Sequence, residues 1–278
     1  MGGCQAPGHL NAALAAWLPQ PGSEIYYAQL YTPAAQRRTL SLLEGLRSAI
    51  TRIPATCSSP AVALPKLAWW REELGRCARG TPRHPLTQSL VETAPPTLVP
   101  AALALLSGIE TMLGRADWSR RTERRAALAA AQGPLWEVSC GICLGDQQPP
   151  IEAMALAMAV EETWLLRDAR RFIVGGLPLV ARDLLPAPPE RQPSPAQPGD
   201  WHAALLGADL ALLEAELRAG LASLPHRKRL RPLATLAVLA IATASEVRAG
   251  GSRVWESRVE LTPLRQFLLA WREARFAR

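Results

Sequence analysis

The sequence is poor in the patterns that build sheets. Across 278 residues no run of Val, Ile, Thr and aromatic residues alternates with polar ones at period two, and aromatics make up only 5% of the chain. A β-sheet as the main architecture is thereby excluded. Disulfides are scarce by the same kind of count. Five cysteines is an odd number, which excludes a stapled secreted scaffold. Cys140 and Cys143 do form a C-x-x-C, in "CGIC", but no βαβ pattern surrounds it and no second pair completes a zinc site, so the pair reads as small-residue packing. The longest apolar run, "LATLAVLAIATA" (233–244), is shorter than the ~20 residues that cross a bilayer. The N-terminal "MGGCQAPGHLNAALAAWLP" lacks the basic region of an export signal. A cytoplasmic protein with at most peripheral membrane contact is expected.

Charge is unbalanced but dispersed. Lys and Arg number 31 against 24 Asp and Glu, a net charge of +7 that favours phosphate-bearing ligands, acidic partners or anionic surfaces. The densest basic stretches, "RRTERR" (120–125) and "HRKRLR" (226–231), carry no interleaved aromatics on which bases could stack. Nucleic acid is therefore not an expected partner, and both stretches read as solvated helix ends. No repeat of solenoid period is present.

What the sequence does contain is helix. Ala, Leu, Arg and Glu recur at spacings of three and four, predicting helices over 23–31, 34–53, 61–79, 84–93, 98–113, 117–132, 134–144, 150–173, 200–221, 228–248 and 261–275. Pro33, Pro134, Pro150, Pro232 and Pro263 fall near the starts of these segments, where a missing N–H costs nothing. "PAPPERQPSPAQP" (186–198) holds six prolines in thirteen residues and must be extended. The reading is one all-α domain over 1–278 with a surface loop at 186–198. In "KLAWWREEL" (66–74), Leu67, Trp70 and Leu74 share one helical face while Arg71 and Glu72 turn away. Trp70 is thus a core residue, with Arg71 exposed and Trp69 resting on the Lys66 or Glu73 stem.

Two separated stretches carry a resemblance. "SEIYYAQLYTPAAQRRTLSLLEGLRSAI" (23–50) followed by "KLAWWREELGRCARGTPRHPLTQSL" (66–90) resembles the opening of squalene/phytoene synthase family proteins, in particular a short bacterial branch. In that branch a K-L-x-W-W-R-x-E-L helix precedes a G-x-P-x-H-P-[VL]-T turn. "AMAVEETWLLRDARRFIVGGLPLVARDLLP" (157–186) is similar to the family's second conserved region, and "PLRQFLLAWREARFAR" (263–278) to the usual end of the branch. The resemblance implies the all-α isoprenoid synthase fold, a helical bundle around a central cavity. Active members join two prenyl diphosphates head to head, using aspartate clusters that hold Mg²⁺ against the leaving diphosphate.

The sequence departs from that pattern at the acids. In "SLLEGLRSAITRIP" (41–54), Arg47 fits the family's arginine, but Ile50, Thr51 and Pro54 stand where the first aspartate cluster belongs. In "EETWLLRDARRF" (161–172), Thr163, Arg167 and Asp168 match, whereas Glu161 takes a glutamine position, Trp164 an asparagine position, and Arg171 and Phe172 the places of further acids. Asp168 is expected to pair with Arg171, three residues on. No metal ligand set is expected, and no cofactor, with Mg²⁺ required only if the chain is active. By resemblance, Tyr27, Arg47, Glu161, Trp164, Arg167, Asp168 and Arg171 are the candidates for binding a prenyl diphosphate or isoprenoid lipid, the arginines acting as guanidinium forks.

Two functions of different class follow. One is a catalytically degenerate relative, binding an isoprenoid-like ligand or a protein partner, as family members that assist respiratory complex I assembly do. The other is an active head-to-head prenyltransferase of isoprenoid biosynthesis. The helices 34–53 and 150–173 should face each other across the cavity, with Arg47 and Asp168 turned toward it.

Overall fold

The computed structural model describes residues 14–113, 115, 118–174, 181–184, 200–255 and 258–276. Eleven α-helices are named among them, and the only strand-like pairing there is an isolated bridge between Trp118 and Ala181. The proline-rich segment 186–198 lies outside the described residues.

Helix α1 (Glu24–Gln29) starts where the Ser23 hydroxyl accepts the Tyr26 N–H, satisfying one of the donors a helix start leaves bare. Pro33 precedes α2 (Ala34–Thr56), which runs past Pro54 in its last turn. Helix α3 (Pro60–Ala78) opens on Pro60 behind Ser59, and α4 (Pro85–Thr93) on Pro85, capped by the His84 ring. Helix α5 (Leu98–Leu113) is followed by α6 (Arg121–Leu144), and α7 (Ile151–Arg167) by the short α8 (Ala169–Val174). The C-terminal part holds α9 (Asp200–Ser223), α10 (Arg231–Gly250) and α11 (Pro263–Phe276).

Three expected boundaries move. The predicted helices 117–132 and 134–144 are one continuous α6 with Pro134 inside it. A mid-helix proline costs about 3 kcal/mol. Here Gly133 before it has no Cβ to collide with the ring, and Leu128, Ala131, Leu135, Trp136 and Val138 are buried on both sides of it. The predicted helix 150–173 is broken at Asp168, which leaves helical geometry with φ −93° and ψ 19°. Residues 226–230 form a turn ahead of α10 rather than its first turn, with Arg229 and Leu230 N–H both bonding the His226 carbonyl.

Apolar residues gather in two cores that share α6. One takes Leu43, Leu46 and Ile50 of α2, Leu67, Trp70 and Leu74 of α3, and the inner faces of α4 and α5. The other takes α7, α9 and α10, with Ala28 of α1. Leu135 and Val138 of α6 face the first core, and Trp136, Cys140 and Cys143 the second. Where α5 meets α6 the backbones nearly touch, since a Cβ added at Gly108 would lie 2.3 Å from that of Ala131. Helix α10 is, among the described residues, the one helix long and apolar enough to span a bilayer, yet more than half of it is buried in the second core.

Candidate functional site

The stretches that hold Arg47 and Glu161 meet at the seam between the cores. Arg47, buried on α2, donates through Nε and Nη2 to Glu44 at 2.9 and 2.5 Å, and through Nη1 to Glu161 of α7. Trp136 of α6 donates its indole N–H to the same Glu161 oxygen at 2.8 Å, while the Arg47 guanidinium lies 5.4 Å from the Trp136 ring centre. Burial alone lowers the Arg47 pKa, but the Glu161 and Glu44 carboxylates outweigh it and push it up, so the guanidinium stays charged. Burial raises that of Glu161, with Arg47 pulling the other way. The triad of Glu44, Arg47 and Glu161 thus closes on itself. This bridge links α2 to α7 across the seam. Beside it, Glu44, Trp136, Cys140 and Gln29 line a small cavity.

At the end of α7, immediately before the break at Asp168, Arg167 donates to Glu24 of α1 at 2.5 Å and to Asp168 at 2.8 Å, and lies 4.7 Å from the Trp164 ring centre. The expected Asp168–Arg171 pair is not the one formed. The Asp168 carboxylate is held by Arg167 and by Arg258 at 2.8 Å, because the break at Asp168 turns it toward the strand of chain leading to α11. Arg171 is exposed. Tyr27 sits apart from Arg47, its ring 5.5 Å from Tyr26 and 6.5 Å from Phe267 of α11. Ile50 and Pro54 are core residues, and the Thr51 hydroxyl bonds back to the Arg47 carbonyl at 2.9 Å. Of the seven candidates, then, the structure brings Arg47 to Glu161, and Arg167 to Asp168 and Trp164, and leaves Tyr27 and Arg171 elsewhere. Glu44, Trp136, Glu24 and Arg258 complete these clusters. Of these four only Glu44, one turn before Arg47, carried a local signal.

The basic stretch 120–125 is a correction of a different kind. Arg121, Arg124 and Arg125 are not solvated: they point inward to Glu162 of α7 and Asp209 of α9, with Glu216 at the rim. Arg124, Glu162 and Asp209 are buried. In 226–231, Arg227 grips Glu273 of α11 at 2.7 and 2.6 Å and Arg229 donates to the Leu144 carbonyl, so these groups too are tied down.

The tryptophan helix has a structural purpose. Glu73, fully buried on α3, accepts the Arg83 and His84 N–H groups at 2.8 Å each, the Thr87 hydroxyl at 2.6 Å and Arg76 Nε at 2.7 Å. Its carboxylate therefore shapes the "TPRHPLT" turn. Burial works to raise its pKa, but those donors, led by the His84 N–H, hold it down at about 2. The turn in return delivers His84 to the Trp17, Trp69 and Trp70 rings, at 4.8, 5.9 and 5.1 Å. Trp70 is buried as expected. Trp69, half exposed, packs on Trp70 and His84 rather than on a Lys66 or Glu73 stem, and Arg71 is partly covered by its 2.6 Å bond to Glu110.

Residues 18–128 match the squalene/phytoene synthase family, which takes in α1 to α5 and the start of α6. The fold matches the squalene synthase HpnC of Alicyclobacillus acidocaldarius with a TM-score of 0.62 at 18% identity, over 88% of this chain and 97% of that one. The family match thus covers 111 residues of the N-terminal half, and the likeness to the solved structure extends to the fold of the chain. Its fold is the all-α isoprenoid synthase fold. No curated protein matches the sequence.

The family is generally Mg²⁺-dependent where active. The donor set here does not fit that ion. Among the described residues no three His, Cys, Asp or Glu side chains converge on a point, and Glu44, Glu161 and Asp168 each face a guanidinium. Mg²⁺ demands a close octahedron of oxygens, which an arginine in the middle prevents. The C-x-x-C fits no better as a thiolate site: burial pushes the Cys140 and Cys143 thiols up to about 12 and about 11.

Proposed function

We infer that this chain is a non-catalytic squalene/phytoene synthase family protein whose bundle serves as a binding and assembly module. The observation behind this reading is the Glu44–Arg47–Glu161 bridge, which fills with protein charge the seam where the family's two acidic motifs would face each other. Ionising an allylic diphosphate requires the leaving group's charge to be neutralised as the C–O bond breaks. Arg47 and Arg167 already spend their charge on Glu44, Glu161, Glu24 and Asp168. A diphosphate bound there would have to expel carboxylates into a buried setting, at a cost of several kcal/mol per uncompensated ion.

The test combines a product assay with calorimetry. Farnesyl or geranylgeranyl diphosphate with Mg²⁺ should yield no squalene or phytoene above a no-enzyme control, and a non-hydrolysable diphosphate analogue should release no saturable heat. Metal-dependent hydrocarbon would establish the rival reading, an active head-to-head prenyltransferase. Saturable binding without product would make the module one that holds an isoprenoid ligand.

A further inference from the structure

Helix α11 is amphipathic twice over. Gln266, Ala270 and Glu273 point inward and are buried against the bundle. The opposite face carries Leu264, Phe267, Leu268 and Trp271, at the i, i+3, i+4, i+7 spacing of a single stripe, and these side chains are 68%, 40%, 46% and 42% exposed. Phe276 adds another exposed ring at the end of the helix, at 65%. Tyr27 of α1 lies beside Phe267 and widens the patch. Scattered apolar residues on a surface are ordinary, but a contiguous stripe opposite a packed face needs an occupant.

Charge selects the occupant. The only acid in 263–276 is Glu273, which is turned inward and neutralised by Arg227. Arg272 and Arg275 are exposed at the edges of the stripe. Two copies of this face brought together would set these arginines against each other, and the helix's own acid, Glu273, is buried away from them. A phenylalanine, tryptophan and tyrosine stripe rimmed by arginine suits the boundary between acyl chains and anionic headgroups, where aromatic rings settle and each Lys or Arg adds attraction. The helix would lie in the plane of the bilayer, since its inner face is held to α10 and α1, and its 14 residues extend about 21 Å. We propose that the outer face of α11 docks the protein on anionic lipid bilayers as an interfacial helix.

The experiment is flotation of the full chain with vesicles of phosphatidylcholine mixed with phosphatidylglycerol, against vesicles of phosphatidylcholine alone. Binding is expected to the anionic vesicles and to weaken with added salt. Phe267→Ser/Trp271→Ser should reduce the partition coefficient at least about tenfold, and Arg272→Gln/Arg275→Gln by roughly tenfold or more, at about fivefold per charge. Lipids brominated near the headgroup should quench part of the tryptophan emission, and Trp271→Phe, which retains an aromatic ring, should bind normally and lose that quenching. This reading of the wild-type chain holds even if the serine variant unfolds. No flotation with anionic vesicles, flotation unchanged by both double variants, or quenching that survives Trp271→Phe would overturn the proposal. So would a dimer that dissociates in the serine variant in the absence of vesicle binding, since it would assign the face to a second copy.

Discussion

Replacing Arg47 by methionine separates a structural bridge from a ligand site. Methionine keeps the length and apolar bulk of the side chain while removing its charge, and leaves Glu44 and Glu161 together in a buried seam with no cation between them. Breaking a buried pair by removing one partner costs about 3–5 kcal/mol, because the remaining ions are desolvated and uncompensated. The Trp136 indole still donates to Glu161, which keeps the loss toward the lower end of that range. Glu161 already has a raised pKa from burial, and without Arg47 it rises further. A carboxyl raised in the folded state adds full stability below its unfolded pKa, near 4.5, and loses it as pH climbs from there toward the folded value. Urea melts followed by circular dichroism should therefore show a larger gap between Arg47→Met and wild type at pH 8 than at pH 5. Arg47→Met/Glu44→Gln/Glu161→Met, which removes all three charges, should recover most of the loss. A cost below about 1 kcal/mol for Arg47→Met alone, the range of an exposed pair, would refute the bridge and return Arg47 to the list of groups available to a diphosphate.

Trp70→Ala should cost about 3–5 kcal/mol in the same melts, through the cavity it leaves among Leu67, Leu74 and the α5 side chains, and a loss under about 1 kcal/mol would reject its core role. Glu73→Gln can keep its carbonyl oxygen on the Arg83 and His84 N–H groups but then turns its NH2 toward Arg76 Nε, donor against donor, and should cost about 1–3 kcal/mol. Glu73 is held at about 2, so its contribution to stability is complete above its unfolded value near 4.5 and is lost as pH falls toward 2, and the wild-type stability curve should drop across that interval more steeply than that of the variant. Gly108→Ala forces a methyl to within 2.3 Å of Ala131 and should lower stability by about 1–3 kcal/mol, whereas Gly133→Ala, which meets nothing within 4 Å but precedes Pro134, tests the backbone effect alone.

Much of the helical order was legible because it rests on local periodicity. The stripe of Leu67, Trp70 and Leu74 fixed which side of α3 is buried, and Pro33, Pro150, Pro232 and Pro263 each mark a start. Pro134 misled, since the rule that proline ends a helix is a local preference, and the packing on both sides of Gly133 overrides it. The charges were read least well. "RRTERR" is indistinguishable by composition from a solvated face, because Glu162, Asp209 and Glu216, which draw its arginines inward, lie about 40 to 90 residues away along the chain. The same holds for Asp168, whose true partner Arg258 has no periodic relation to it. The burial of Ile50 and Pro54 could be read from the apolar face of α2. That Glu44 and Glu161 would close on Arg47 required the tertiary structure.

The arginines explain how the bundle tolerates carboxylates buried between its two cores. A seam between two apolar cores is an unfavourable place for an unpaired carboxylate, and Glu161 and Glu162 both sit there on α7. In an active site a solvent-borne cation can offset such acids. Here the offsetting charge is covalently part of the chain, Arg47 for Glu161 and Arg121, Arg124 and Arg125 for Glu162. A tethered cation carries no binding equilibrium, so the seam is satisfied at any metal concentration, and displacing it means exposing two or three buried carboxylates at once. Such a seam resists a competing anionic ligand. Groups free to engage a partner are therefore to be sought on the outside of the bundle, and among the described residues the outer face of α11 is where exposed apolar surface and the exposed Arg272 and Arg275 coincide.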